Sequence, residues 1–393
     1  MGTACRAARV IILITLNEID MEDIVRYLKT WLLYGHPEAD TLIGYTADKS
    51  QWKKYRLVIV PNGHLGKCIV EPDLTHPHAE ILDGEPIVVR QDLIYNTFYY
   101  VSRAEELLHT QRDEHGRYYV AQPRLTPLLD EYARFLLKAL QLPLPGEGFS
   151  HIYLTHDIDT ISHYRHLRGA LGGIIHGNWR DVIASWQSIE ADAAFTFPWL
   201  AEQDHKVASA ESIYFIKKTT GRGYDYPQYS HNRKDYKELR KFLEWNNALV
   251  GWHSSYYGVK KGHYRVQSRH RSHYLRCSIE NMRQLIQLGV TDDFTMGFAA
   301  SVGFRMNTTR AVLWIDPERY ELTELVLHPL MIMDCTLDEY MHLSHDEAYY
   351  LCQQVIDKVK MHHGDLCLLW HNSNLNNSNY RKQLYEELID YIK

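Results

Sequence analysis

Cysteine is sparse here, and where it occurs it is unpaired in sequence. The six cysteines stand at positions 5, 68, 277, 335, 352 and 367, none in a Cys-x-x-Cys spacing. That argues against a structural zinc cluster and against a disulfide framework, and a reducing compartment fits best. The chain also lacks any apolar run approaching the roughly 18 residues needed to cross a bilayer. The apolar stretch at 10–14 is short and is followed at once by Glu18, Asp20, Glu22 and Asp23, so it is expected to be a first strand, not a signal peptide. No excess of positive charge exists either: the formal net charge is −6, with local concentration of Lys and Arg only around 260–276. This excludes a general nucleic-acid binder but leaves a local anion or sugar-phosphate site open. The glycine cluster Gly169–Gly173 lacks the Lys and Ser/Thr of a phosphate loop and reads as a turn. Repeats and low-complexity tracts are absent. With 45% hydrophobic and 23% charged residues the composition is that of a folded protein.

Aromatic and imidazole side chains are plentiful, with 28 Tyr, 9 Trp and 23 His. Flat rings with a polar tip suit sugar surfaces, and they equally fill cores and interfaces. At 393 residues the chain exceeds the size at which single cores stop growing, so two domains are expected, with one large barrel as the alternative. The first 145 residues mix short strands (10–16, 57–61, 87–90) with helices (22–34, 128–140). Pro143, Pro145, Gly146 and Gly148 then interrupt the pattern and mark the boundary between residues 1–145 and 146–393. Beyond it, apolar segments recur at 151–155, 211–216, 249–252, 293–298, 324–333 and 366–370, with helical periodicity at 235–245, 279–288 and 346–359. Strand alternating with helix predicts a parallel sheet, and this length suffices to close it into a (β/α) barrel. The expected fold is α/β: a smaller α/β domain followed by a barrel.

In a parallel barrel, chemistry sits at the carboxyl ends of the strands. Asp157 and Asp159 end the first apolar run, and two carboxylates two residues apart on an extended chain face the same way. His253-Ser254 follows the run at 249–252, and Arg271-Ser272-His273-Tyr274, Asp292-Asp293 and His371-Asn372-Ser373 come after it. Each has a plainer account alone. His253 beside Trp252 could be a core histidine, Arg271 part of a basic loop, Asp293 a turn residue and His371 a cap. His156, His163, His166, His362 and His363 are read as chance clustering among many histidines. Joint placement at successive strand ends is what favours a site.

These motifs, Thr155-His156-Asp157-Ile158-Asp159, His253-Ser254-Ser255-Tyr256-Tyr257, Arg271-Ser272-His273-Tyr274 and Leu369-Trp370-His371, resemble those of the NodB-type polysaccharide deacetylases over roughly residues 150–393. The segment around Asp92–Tyr118 is similar to what precedes the barrel in a bacterial surface-polysaccharide subgroup. The resemblance implies a distorted barrel that removes an N- or O-acetyl group from a sugar with one divalent metal, expected to be zinc. It implies Asp157 as general base, Arg271 holding it ionised, Asp159 and His253 as metal ligands and His371 as general acid. Where the family has a third ligand, a His four residues after His253, this chain has Tyr257, and phenol is a poor donor at neutral pH. His273, water or loss of the metal are the alternatives, with His273 preferred. Tyr274, Trp370, Arg305 and Asp293 are expected at the substrate, Arg305 on an anionic part of it. The expected substrate is an acetylated sugar or a nucleotide- or lipid-linked glycan, in a cytoplasmic protein not integral to the membrane; oligomerisation is left open. The rivals are a metal hydrolase of another small amide or ester, and a metal-free carbohydrate-binding or assembly protein on the same barrel.

Overall fold

Two separate sheets form, one on either side of the Pro143–Gly148 stretch. The computed structural model describes residues 18–81, 86–217, 223–226, 233–259, 268–376 and 378–393. The strand expected at 10–16 lies outside the described residues. Before the boundary, β1 (Ile43–Tyr45), β2 (Leu57–Ile59), β3 (Ala79–Glu80) and β4 (Ile87–Val89) form a four-stranded sheet in the order β1-β2-β4-β3. Helices Glu18–Leu32, Leu93–Val101 and Leu128–Ala139 pack with it.

After the boundary come β5 (His151–Ile158), β6 (Ala210–Lys217), β7 (Leu249–Ser254), β8 (Arg269–Ser272) and β9 (Asp292–Met296). They are followed by β10 (Val312–Asp316), β11 (Glu321–Pro329), β12 (Ile332–Met333) and β13 (Asp365–Leu369). They make one nine-stranded sheet in the order β10-β11-β9-β8-β7-β6-β5-β13-β12, parallel throughout except for the antiparallel β10–β11 pair. The sheet curls: β11 pairs with β9, and β12, two residues further along the chain, pairs with β13. This is consistent with a barrel. Neither the edge strand β10 nor β8, whose four residues are Arg-His-Arg-Ser, was among the strands expected from apolar runs.

The central strands are buried on both faces, as parallel strands flanked by helices must be: all five residues of β13 are buried. Helix His345–Met361 shows why its neighbours close over the sheet. A Ser344/Glu347 capping box starts it, and Ala348, Cys352, Val355, Ile356 and Val359 repeat at helical spacing to form its buried stripe. One apolar cluster draws on both sides of residue 145, from Ile24, Phe98 and Leu136 to Trp252, Met282 and Trp314. Buried ion pairs cross the same seam. Arg305 binds Glu106 through Nε and Nη2, both at 3.0 Å, and Arg103 donates to the same carboxylate.

Candidate active site

The register of the sheet aligns the chemistry. Lys217 pairs with His253, and His253 with Arg271, across β6, β7 and β8, while Asp157 and Asp159 reach the same end of β5. A cavity of about 240 Å³ opens there, lined among others by Asp157, Asp159, Lys217, His273, Tyr274 and His371.

Three donor atoms converge on one side of it. His253 Nε2 lies 3.7 Å and His273 Nε2 3.2 Å from Asp159 Oδ1. Both rings are held from behind. His253 Nδ1 donates to the carbonyl of Arg271 at 3.0 Å, and His273 Nδ1 to Asp225 Oδ1 at 3.0 Å. Asp225 is fixed by Ser255 Oγ at 2.5 Å and the Tyr256 amide at 2.9 Å. Nδ1 is thereby tied back on each ring and Nε2 turned toward Asp159, which is how ligating histidines are oriented; on His273, burial opposes the charge, but Asp159 and Asp225 outweigh it and raise the pKa. Burial pushes His253 down to about 4, keeping it neutral. For Asp159, burial favours the neutral carboxyl, but His273 and Lys217 outweigh it and hold the group well below the usual range. Among the described residues, His253 Nε2 and Asp159 Oδ1 are buried and meet no hydrogen-bond geometry with a partner. Two imidazoles and a carboxylate, their donor atoms within 4.8 Å of one another, fit a divalent cation. Tyr257 is exposed and lines a different surface cleft, so His273 and not Tyr257 stands beside Asp159 and His253.

Asp157 is buried at 3% exposure, its Oδ1 3.2 Å from Arg271 Nη1 and its Oδ2 3.7 Å from His253 Nε2. Arg271 is completely enclosed. It donates to Thr155 Oγ1 at 2.8 Å and the Phe294 carbonyl at 3.1 Å and lies over the Phe215 ring at 4.6 Å. Across the cavity, His371 Nδ1 donates to Asp334 Oδ1 at 2.7 Å, and the His371 amide donates to Asp334 Oδ2 at 3.0 Å. Burial opposes the charged imidazole, yet Asp334 raises the His371 pKa well above its ordinary value. Burial likewise opposes the Asp334 charge, but His371 and Arg381 lower that carboxyl to about 2.

Three expected substrate residues lie elsewhere. Asp293 is at the amino end of β9, where it accepts from His270 Nδ1 at 2.7 Å and Thr295 Oγ1 at 2.7 Å, fully buried. Arg305 pairs with Glu106, as described, and lines a separate cleft, not the cavity at Asp157 and His371. Trp370 is fully buried in the apolar cluster around Leu154 and Leu366, and its Nε1 donates to the Arg381 carbonyl at 3.1 Å. Tyr274 does line the cavity, in a left-handed turn (φ 59°) directly after β8. His156 is a core histidine between the Trp370 carbonyl and Asp204, at 2.9 and 3.0 Å.

The sequence reading passed over Asp334, Lys217, Asp225 and Arg117. The first two follow apolar runs directly and obey the strand-end rule that located the others. Lys217 Nζ is 3.7 Å from Asp159 Oδ1, and burial pushes its pKa down. Arg117, far upstream in sequence, enters the cavity wall. It pairs with Asp113 at 2.6 Å and donates to the Tyr274 carbonyl at 3.2 Å.

No protein-family model matches this chain, and no curated protein matches it. Among solved structures, it is similar to a crystal structure of a "putative polysaccharide deacetylase from Mycobacterium smegmatis". The identity is 10%, over 63% of this chain and 88% of that one, with a TM-score of 0.38. No residue role is carried over from that structure.

Proposed function

We propose that this chain is a metal-dependent hydrolase that removes an acetyl group from an N- or O-acetylated sugar, on a polysaccharide deacetylase-type barrel. In this reading residues 146–393 are the catalytic barrel, residues 1–145 an accessory α/β domain, and the protein works in the cytoplasm. One observation carries it: a carboxylate-imidazole donor set lies between a carboxylate backed by arginine and an imidazole backed by a carboxylate, around a single cavity. Asp159, His253 and His273 would hold the cation, with zinc favoured by two imidazoles and one carboxylate. When bound, a divalent cation polarises an acyl carbonyl and acidifies water.

Asp157 takes the proton from the water that adds to the acyl carbon. Arg271 fixes that carboxylate by donating to Asp157 Oδ1 at 3.2 Å. As the C–N bond breaks, His371 delivers a proton to the leaving nitrogen, and Asp334 keeps the imidazole charged for that step. Acetate and the free amine result. Tyr224, Tyr226, Tyr274 and Tyr340 line the same cavity and offer ring faces to a sugar.

A second reading has an observation of its own. Lys217 already supplies Asp159 with a protein cation, which suits a metal-free sugar-binding barrel. Metal analysis of the purified protein separates the two. The hydrolase reading expects about one zinc per chain, lost in His253→Ala and His273→Ala, and acetate release from N-acetyl sugars that Asp157→Ala abolishes. A metal-free protein that both variants leave unchanged would overturn it.

A further inference from the structure

Helices Leu167–Ile175 and Trp179–Gln187 pack on each other and bury little else: Gly173, Val182 and Ser185 are their buried residues. Gly173 allows the close approach, because a Cβ there would come within 2.6 Å of Val182 and 2.8 Å of Tyr164. The outward faces are apolar. Leu171, Ile174 and Ile175 on the first helix and Trp179, Ile183 and Trp186 on the second are all half exposed or more, at helical spacing. Apolar residues scattered singly on a surface need no explanation, but a contiguous patch of this kind marks an interaction site. Arg168 and Arg180 are exposed on the same pair, and Asp181 is the one carboxylate in residues 167–187, in a chain whose net charge is −6.

A groove of about 570 Å³ runs along the first helix, past Arg168, Gly169 and Gly172, and its wall includes Asp159 and Tyr226, which also line the catalytic cavity. The groove follows the inner side of the helix that carries half of the apolar face, and it shares Asp159 and Tyr226 with the catalytic cavity. Nine residues per helix span only about 14 Å, too short to cross a bilayer, so such a pair lies on a membrane rather than through it.

We infer that this helix pair docks on an anionic lipid bilayer and presents the site to a sugar carried on a lipid. Isoleucine, leucine and tryptophan enter the headgroup boundary while the arginines meet lipid phosphates, the pattern of interfacial helices. A second copy of the chain would be favoured by an uncharged face; two exposed arginines against one carboxylate suit an anionic surface instead. The substrate part rests on the deacetylase reading; the docking does not.

The test uses the full chain and vesicles of phosphatidylglycerol and phosphatidylcholine. The protein should float with these vesicles, less so at high salt, and Ile175→Glu combined with Trp179→Glu should weaken binding about tenfold or more. Circular dichroism confirms that the variant is folded. Absence of flotation, flotation equal in the variant, or a dimer in size exclusion that the variant dissolves would each overturn the docking. Acetate release provides the second arm. The variant should lose about tenfold on an N-acetylated sugar borne by a polyprenyl lipid in those vesicles, and keep its rate on a water-soluble N-acetyl sugar. Equal effects on both substrates overturn the lipid-borne substrate. Flotation reads no chemistry, so its failure leaves the deacetylase reading standing, while acetate from neither substrate fails that reading and leaves docking to flotation alone.

Discussion

Replacing Asp334 with asparagine tests the proposed acid without changing the size of the side chain. In the native protein His371 Nδ1 meets the carboxylate at 2.7 Å, and this anion overcomes burial to raise the imidazole pKa well above its ordinary value. In Asp334→Asn burial acts without that anion, so the His371 pKa should fall. The pair also contributes stability, and the sign differs for its two members. The Asp334 carboxyl falls from 3.8 to about 2, which corresponds to roughly 2 kcal/mol present above the unfolded value and lost as pH drops to about 2. The His371 part is present in full below its unfolded value of about 6.5 and is lost as pH rises through the raised folded pKa. The variant should therefore be about 2 kcal/mol less stable between pH ~4 and ~6.5, and closer to the native protein at both extremes. Urea unfolding across pH reads this, and histidine-selective NMR follows the His371 ring directly. On the alkaline side, where a neutral imidazole cannot give a proton, acetate release should fall about 100-fold. A His371 ring that titrates identically in both proteins would refute the reasoning.

Two other outcomes follow from the same geometry. Asp225→Asn loosens the ring of His273 without touching a donor atom, so zinc affinity measured by chelator competition should drop about 10- to 100-fold; unchanged affinity would remove Asp225 from the site. Trp370→Ala empties part of the core, and urea unfolding should show a loss of about 3–5 kcal/mol, while a KM effect as the main result would return Trp370 to the substrate.

The helices Glu18–Leu32, Leu128–Ala139 and His345–Met361 were legible because apolar spacing is a local property. So were Asp157, Asp159, His253 and His371, because a polar residue ending an apolar run marks the carboxyl end of a buried strand; Arg271 and His273 sit on and just after β8, which has no apolar run, and were singled out by motif resemblance alone. The same rule went wrong where strand limits were misjudged. Asp293 stands near the start of β9, level with His270 and Trp252 and one residue short of the level of Arg271 and His253, so its side chain turns to the opposite face of the sheet. Trp370 adjoins His371, but neighbours on an extended chain face opposite ways, so one enters the core and the other the cavity.

What the sequence determined alone was thus which residues end the strands and which helices flank them, since both follow from short-range periodicity. Only the tertiary structure decided which ends share a cavity and which partner each side chain meets. Arg305 meets Glu106 from 199 positions away, Arg271 meets Asp157 from 114, and His371 meets Asp334 from 37. Contacts at such separations depend on how the sheet curls and in what register its strands pair. Those features arise from the packing of the whole curled sheet and its helices, and no local pattern encodes them.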